Sequence, residues 1–106
     1  MTPNDIFDEI NSRLQTDASR AAGIDAICNF NVSGDEGGDY HVVVHDGQGE
    51  AGPGLAENPN ITVSLKDKDL VDLRQGKLNA ASAFVTGKLK IKGDMGLAMK
   101  LAGLLR

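Results

Sequence analysis

The chain has 106 residues, 41% of them hydrophobic and 25% charged, with a formal net charge of −4 at pH 7. That length suits one domain able to bury about two-thirds of its unfolded surface, and the composition is globular rather than disordered. It excludes a membrane-spanning helix, because no apolar run approaches the ~18 residues required.

The N-terminal stretch MTPNDIFDEI lacks the basic and apolar regions of a signal peptide. The single cysteine, Cys28, excludes an internal disulfide and agrees with a reducing, cytoplasmic setting. Charge is unevenly placed. Residues 1–76 carry five Lys/Arg and fourteen Asp/Glu, a net of −9, whereas residues 77–106 carry six Lys/Arg and one Asp, a net of +5. Aromatic residues are 4% of the chain, and none is interleaved with the C-terminal lysines to stack bases, so nucleic acid is not an expected partner.

Thr2 and Pro3 predict an N-cap and a first helical position, with the Asp5 charge in the first turn. Phe7, Ile10 and Leu14 then fall on one apolar face with Ile6, opposite Asp5, Asp8, Glu9 and Arg13. A second short helical turn is expected over 17–22, capped by Asp17 and closed by Gly23. From 24 to 32, Ala26, Cys28, Phe30 and Val32 alternate with Asp25, Asn29 and Asn31, which marks a half-buried strand; Ile27 breaks the pattern. Residues 39–45 form a second strand, with Tyr40, Val42 and Val44 on one face and His41, Val43 and His45 on the other. Asp46-Gly47 is a hairpin signal. The third strand, within 48–55, holds three glycines and Pro53 and is therefore expected at a sheet edge.

Ile61, Val63 and Leu65 face inward from a fourth strand. Asp67 is expected to cap a helix that carries Leu70, Val71 and Leu73 and ends at Gly76. Asn79 caps another, over 80–86, whose alanines permit close approach and whose large side chain is Phe84. After Gly87, Lys88, Lys90 and Lys92 alternate with Leu89 and Ile91 in a fifth strand. Gly93 breaks that strand, and Asp94 caps a last helix over 95–105. At about 100° per residue, the apolar residues of this helix cover roughly 220° of arc, where a stripe somewhat over ~100° suffices for one core. The excess calls for another cover, and Met95 and Met99 suit an adaptable apolar contact.

The run FVTGKLKIKGDMGLAMKL, residues 84–101, resembles the C-terminal signature of the sterol carrier protein 2 family, a G-K-L-K-I-K-G run followed by a short Met/Leu/Ala helix. A looser likeness extends over nearly the whole chain. The resemblance implies an α+β fold: a five-stranded mixed, mostly antiparallel sheet covered on one side by helices, with an apolar tunnel between them. Residues 1–106 would then be a single stand-alone domain. The implied activity is lipid binding or transfer with no catalysis and no cofactor, the ligand being a fatty acid, acyl-CoA, sterol-like lipid or quinone.

Under that reading Phe7, Ile10, Leu14, Phe84, Leu97, Met99, Leu101, Leu104 and Leu105 line the lipid site. Two other readings stay open. These residues fill an ordinary core, or the last helix packs on a second subunit or a partner enzyme, for example in ubiquinone synthesis. A monomer or weak dimer fits each reading. The chain ends Leu104-Leu105-Arg106 rather than in the small-Lys-Leu tripeptide of peroxisomal members, and it lacks the tail that often follows the last helix, which would widen the mouth there.

No nucleophile–base pair, Walker run, HExxH or CxxC occurs. His41 and His45 lie roughly 13 Å apart along a strand, too far to share one metal ion. Apolar burial of Cys28 raises a thiol's pKa and makes it a poor nucleophile. Lys88, Lys90 and Lys92 have two uses: guarding an edge strand, or transient contact with anionic lipid headgroups at ~1 kcal/mol each. An empty cavity of about 300 Å³, the low end for ligand pockets, would cost roughly 7 kcal/mol, comparable with the ~5–15 kcal/mol stability of a domain. The site is therefore expected to be occupied, partly collapsed or wet.

Overall fold

A computed structural model of the protein describes residues 1–17 and 23–102. Helix α1 (Pro3–Thr16) starts at a capping box, in which Thr2 N–H donates to Asp5 Oδ2 (2.9 Å) and Asp5 N–H donates to Thr2 Oγ1 (3.2 Å). Strands β1 (Ala26–Ser33), β2 (Gly38–His45) and β3 (Gln48–Pro53) form an antiparallel meander. Asp46 and Gly47 turn β2 into β3 with φ of 52° and 75°, the positive pair that a two-residue type I′ hairpin requires. Strand β4 (Ile61–Lys66) lies parallel to β1. Helices α2 (Asp67–Arg74) and α3 (Ala80–Val85) lead to β5 (Leu89–Gly93), antiparallel to β4, and α4 (Met95–Ala102) follows.

The sheet order is β3-β2-β1-β4-β5. It is mixed with one parallel pair, as expected, and the glycine-rich β3 and the lysine-bearing β5 are its edges. The turn expected over 17–22 and the C-terminal Leu104, Leu105 and Arg106 lie outside the described residues, apart from Asp17, the C-cap of α1.

Register puts the alternating apolar residues on one face. Cys28, Phe30 and Val32 of β1 stand beside Ile61, Val63 and Leu65 of β4, and Cys28 and Phe30 are opposite Val42 and Tyr40 of β2. All of these are buried. Helix α1 covers the β2–β3 side, where Phe7 stacks on Tyr40 with centroids 4.5 Å apart and planes within 6°. A Cβ on Gly49 would come within 3.0 Å of the Leu14 methyls, so this edge glycine permits the close seat of α1. Glu9 ties α1 to α2: it accepts from Arg13 (2.6 Å), from Arg74 Nε (3.1 Å), and from Arg74 Nη2.

Two sequence expectations are corrected. Asn29, assigned to a solvent face, is 6% exposed. The connection from edge strand β3 to β4, which sits beside β1, passes over the sheet face that carries Asn29. Asn29 holds it there, donating to Ala56 O (2.9 Å) and accepting from Ala56 N–H (2.8 Å). Asp67 does not cap α2; it is the first helical residue, and Lys66 precedes it as a cap without a side-chain bond. The Asp67 carboxylate instead accepts from Glu36 N–H in the β1–β2 turn (3.0 Å) and from Lys68 N–H (2.8 Å), and the Glu36 bond leads in lowering its pKa. Gly34 makes room for it, since a Cβ there would lie 2.3 Å from Asp67 Oδ1.

Candidate functional site

The other half of the sheet face is buried too, but its packing leaves a small gap. Cys28 and Phe30 of β1, Val63 and Leu65 of β4, and Leu89 and Ile91 of β5 floor a cavity. Leu73 of α2, Ala80 next to the Asn79 cap of α3, and Ala98, Met99 and Leu101 of α4 roof it. Every side chain in this wall is apolar, and the free space between them is about 30 Å³.

Local sequence explains the roof. Asn79 Oδ1 accepts from Ala81 N–H (2.8 Å) and Ser82 N–H (3.3 Å), which starts α3. Gly87 (φ 81°) ends it, with Lys88 N–H returning to Ala83 O (2.9 Å). Gly93 (φ 118°) lets β5 turn into α4 against Asn60; a Cβ there would lie 2.1 Å from Asn60 O, so no other residue fits. Asp94 Oδ1 then accepts from Leu97 N–H (3.1 Å) and caps α4.

Of the residues named for the lipid site, Met99 and Leu101 stand in the wall of this cavity. Other assignments need correction. Phe7, Ile10 and Leu14 are buried in the filled half under α1, and none lines the cavity. Phe84 is 40% exposed; the six-residue α3 turns Ala83 inward and Phe84 outward. Leu97 is half-buried against the core but outside the cavity wall. Leu104 and Leu105 lie outside the described residues. The floor residues escaped sequence reasoning because they are gathered by the parallel pairing of β1 with β4, a contact between distant segments that leaves no local signal.

The free volume is also far below a lipid-sized tunnel. At ~24 cal/mol per Å³, a void of this size costs only about 0.7 kcal/mol, so the domain tolerates it empty.

The one titratable side chain among the described wall residues is Cys28. Burial pushes the Cys28 thiol up to about 12, and its Sγ faces Asn29 O at 3.8 Å. Lys88, Lys90 and Lys92 are exposed outside the cavity, with Lys90 and Lys92 opposite Ser64 and Thr62 of β4. His41 and His45 engage separate partners: His41 Nδ1 is 3.0 Å from Gly54 O, and His45 lies between Asp25 (3.3 Å) and Asp46 (3.1 Å). Asp25, His45 and Asp46 are the one group among the described residues close enough to share a metal ion, and all three are exposed. No helix among the described residues is long and apolar enough to cross a membrane.

The sequence model of the SCP-2 sterol transfer family matches residues 7–106. The chain belongs to that family. It is 39% identical over 105 residues to sterol carrier protein 2 of Oryctolagus cuniculus, a match covering 95% of this chain and 19% of that protein. The chain thus spans about a fifth of the length of the sterol carrier protein 2 relatives it matches. Among solved structures, sterol carrier protein 2 from Yarrowia lipolytica in its apo form superposes with a TM-score of 0.80 at 29% identity, covering 94% of this chain and 86% of that one. Palmitated SCP2L2 from Aedes aegypti gives a TM-score of 0.81 at 22% identity over 100% of this chain and 96% of that one, a likeness of fold alone. The five-stranded SCP-2 fold expected from the signature run is therefore the fold of this chain.

Proposed function

We propose that this chain binds and transfers a long-chain apolar lipid, without altering it chemically, in the space between α4 and the β1-β4-β5 half of the sheet. The observation that carries the reading is the wholly apolar, unfilled wall beneath α4. Membership of a sterol transfer family supports it, and so does the palmitated Aedes aegypti protein of the same fold. A fatty acid, acyl-CoA, sterol-like lipid or quinone each offers the apolar body this wall accepts. A cytoplasmic carrier is the proposed setting.

The collapsed cavity sets a ligand size. Opening it from its present volume to about 300 Å³ costs roughly 6.5 kcal/mol at ~24 cal/mol per Å³. Each buried methylene returns ~0.8 kcal/mol, so about eight methylenes only offset the opening. Affinity should therefore be absent for short chains and climb with length beyond that point. Displacement of a fluorescent fatty acid by saturated acids of increasing length tests this, with a fluorescent sterol titrated in parallel. Binding that is weaker than ~100 μM for every probe, by folded and delipidated protein, would sink the carrier reading. A native mass spectrum of freshly purified protein adds the bound mass and the subunit count.

A further inference from the structure

We propose that the turn joining α3 to β5 is a membrane-docking surface, with Phe84 and Val85 entering the acyl region of an anionic bilayer while Lys88 and Lys90 hold its headgroups. Phe84 is 40% and Val85 82% exposed, and they are consecutive residues on the last turn of α3. Exposed large apolar residues side by side mark a contact surface more often than single ones do.

The charge beside them selects the partner. Residues 84–93 carry three lysines and no carboxylate. No ion pair formed among the described residues involves these lysines, whereas Arg13 and Arg74 are both paired with Glu9. Lys88 and Lys90 share an open groove of about 540 Å³ with Thr86 and Gly87, the two residues that follow Val85, so the groove begins where α3 ends. Lys66, Asp39 and Asp69 also line that groove. Residues 1–76 carry a net of −9, so an anionic bilayer repels most of the molecule and attracts this end. A second copy is a poor occupant, because symmetric pairing through this patch sets lysine against lysine.

The location suits lipid exchange, a point that rests on the carrier reading. Ala80, Leu89 and Ile91, in the same two elements, line the cavity, so the docked surface is the outside of the ligand wall. Phe84 is then an external wedge, not a part of that wall.

The chain contains no tryptophan, so Phe84→Trp introduces a sole indole reporter. Phosphatidylcholine vesicles containing phosphatidylserine should shift its emission to the blue, and brominated acyl chains should quench it. F84A/V85A should lose at least about tenfold in vesicle partitioning with an unchanged melting temperature. K88E/K90E should lose about fivefold or more per lysine at low salt, and K68E, the same charge change at an exposed site elsewhere, should stay within about twofold. An indole that stays unquenched in F84W, on vesicles that still bind the protein, would overturn the proposal. So would wild-type partitioning by F84A/V85A, or dissociation of an oligomer by that variant. Fatty-acid affinity is measured separately: it should be unaltered in F84A/V85A, and its loss would put Phe84 back in the cavity wall.

Discussion

The Phe30 ring meets Phe7 edge to face, with centroids 5.0 Å apart and planes at 63°, and the same ring forms part of the cavity wall. Phe30 therefore divides the interior. On the Phe7 side α1 packs onto β3 and, through the Phe7–Tyr40 stack, onto β2; on the other side α2, α3 and α4 roof the small gap. Aromatic pairs in this geometry add ~0.5–1.5 kcal/mol beyond the area they bury, so the dividing wall is anchored from the filled half. Any expansion for a ligand falls on the helices of the other half.

Truncation on the two sides should differ. Ile10 is 2% exposed beneath α1, and Ile10→Ala should cost ~2–5 kcal/mol with no effect on lipid affinity. Leu101 is also buried, but it lines the cavity from α4, the helix that packs mainly against β5 and α3 and can settle inward. Leu101→Ala should cost less than about 2 kcal/mol yet lower lipid affinity at least about tenfold, or ~1.4 kcal/mol. Denaturant melts of delipidated protein beside a ligand titration decide it. A large stability loss in L101A with unaltered binding would return α4 to an ordinary core.

Asn29 offers a test of the crossing loop. Its amide makes both hydrogen bonds to Ala56, and no buried side-chain N or O among the described residues lacks a partner. Asn29→Ala leaves the Ala56 N–H and C=O unpaired at about 1–3 kcal/mol. Asn29→Asp should be worse than its small change in shape suggests: a carboxylate still accepts from Ala56 N–H but sets a second acceptor against Ala56 O. Urea melts give the cost, and hydrogen exchange at Ala56 shows whether the loop has come loose. Wild-type exchange at that amide in N29A would mean the loop is held by something else.

What the sequence made legible was local. The Thr2 N-cap, the Asp46-Gly47 hairpin, the edge placement of β3, and the caps at Asn79 and Asp94 each depend on residues a few positions apart, and each stands where its chemistry requires. Asn29 was misplaced because period-2 alternation gives the face of a residue and not what lies over that face. Asp67 was misplaced because its carboxylate found a stronger use, the Glu36 N–H across the β1–β2 turn, than capping its own helix. Phe84 carries the same lesson in reverse: a large aromatic in a short helix reads as core, but with Ala83 turned inward on a six-residue helix it must point out. The family signature showed the fold at once, yet most of the cavity floor depends on β1–β4 register, which no window along the chain contains.

The Glu9–Arg74 contact yields a pH dependence. The Arg74 hydrogen bond holds the Glu9 carboxyl below its ordinary range; partial desolvation opposes this, and the Arg13 and Arg74 charges reinforce it. Arg74 is correspondingly raised by the same bond. A carboxyl whose folded pKa is depressed binds its proton more readily in the unfolded chain, so its stabilisation is fully present above the unfolded pKa of ~4.3 and fades as pH falls through the folded value. The side chains are 30% and 21% exposed, which keeps the contribution near that of a good surface pair, about 1 kcal/mol or less. Glu9→Gln should thus be up to ~1 kcal/mol less stable than wild type at neutral pH, with the gap narrowing steadily below pH ~4.3. Asp5 and Asp67 are also held low by their hydrogen bonds, so wild type keeps a residual acid sensitivity that E9Q shares. Urea melts of both proteins across that acid range measure the difference directly. A gap that stays constant with pH would mean that Glu9 acts through packing of its stem between α1 and α2, and that its charge contributes nothing.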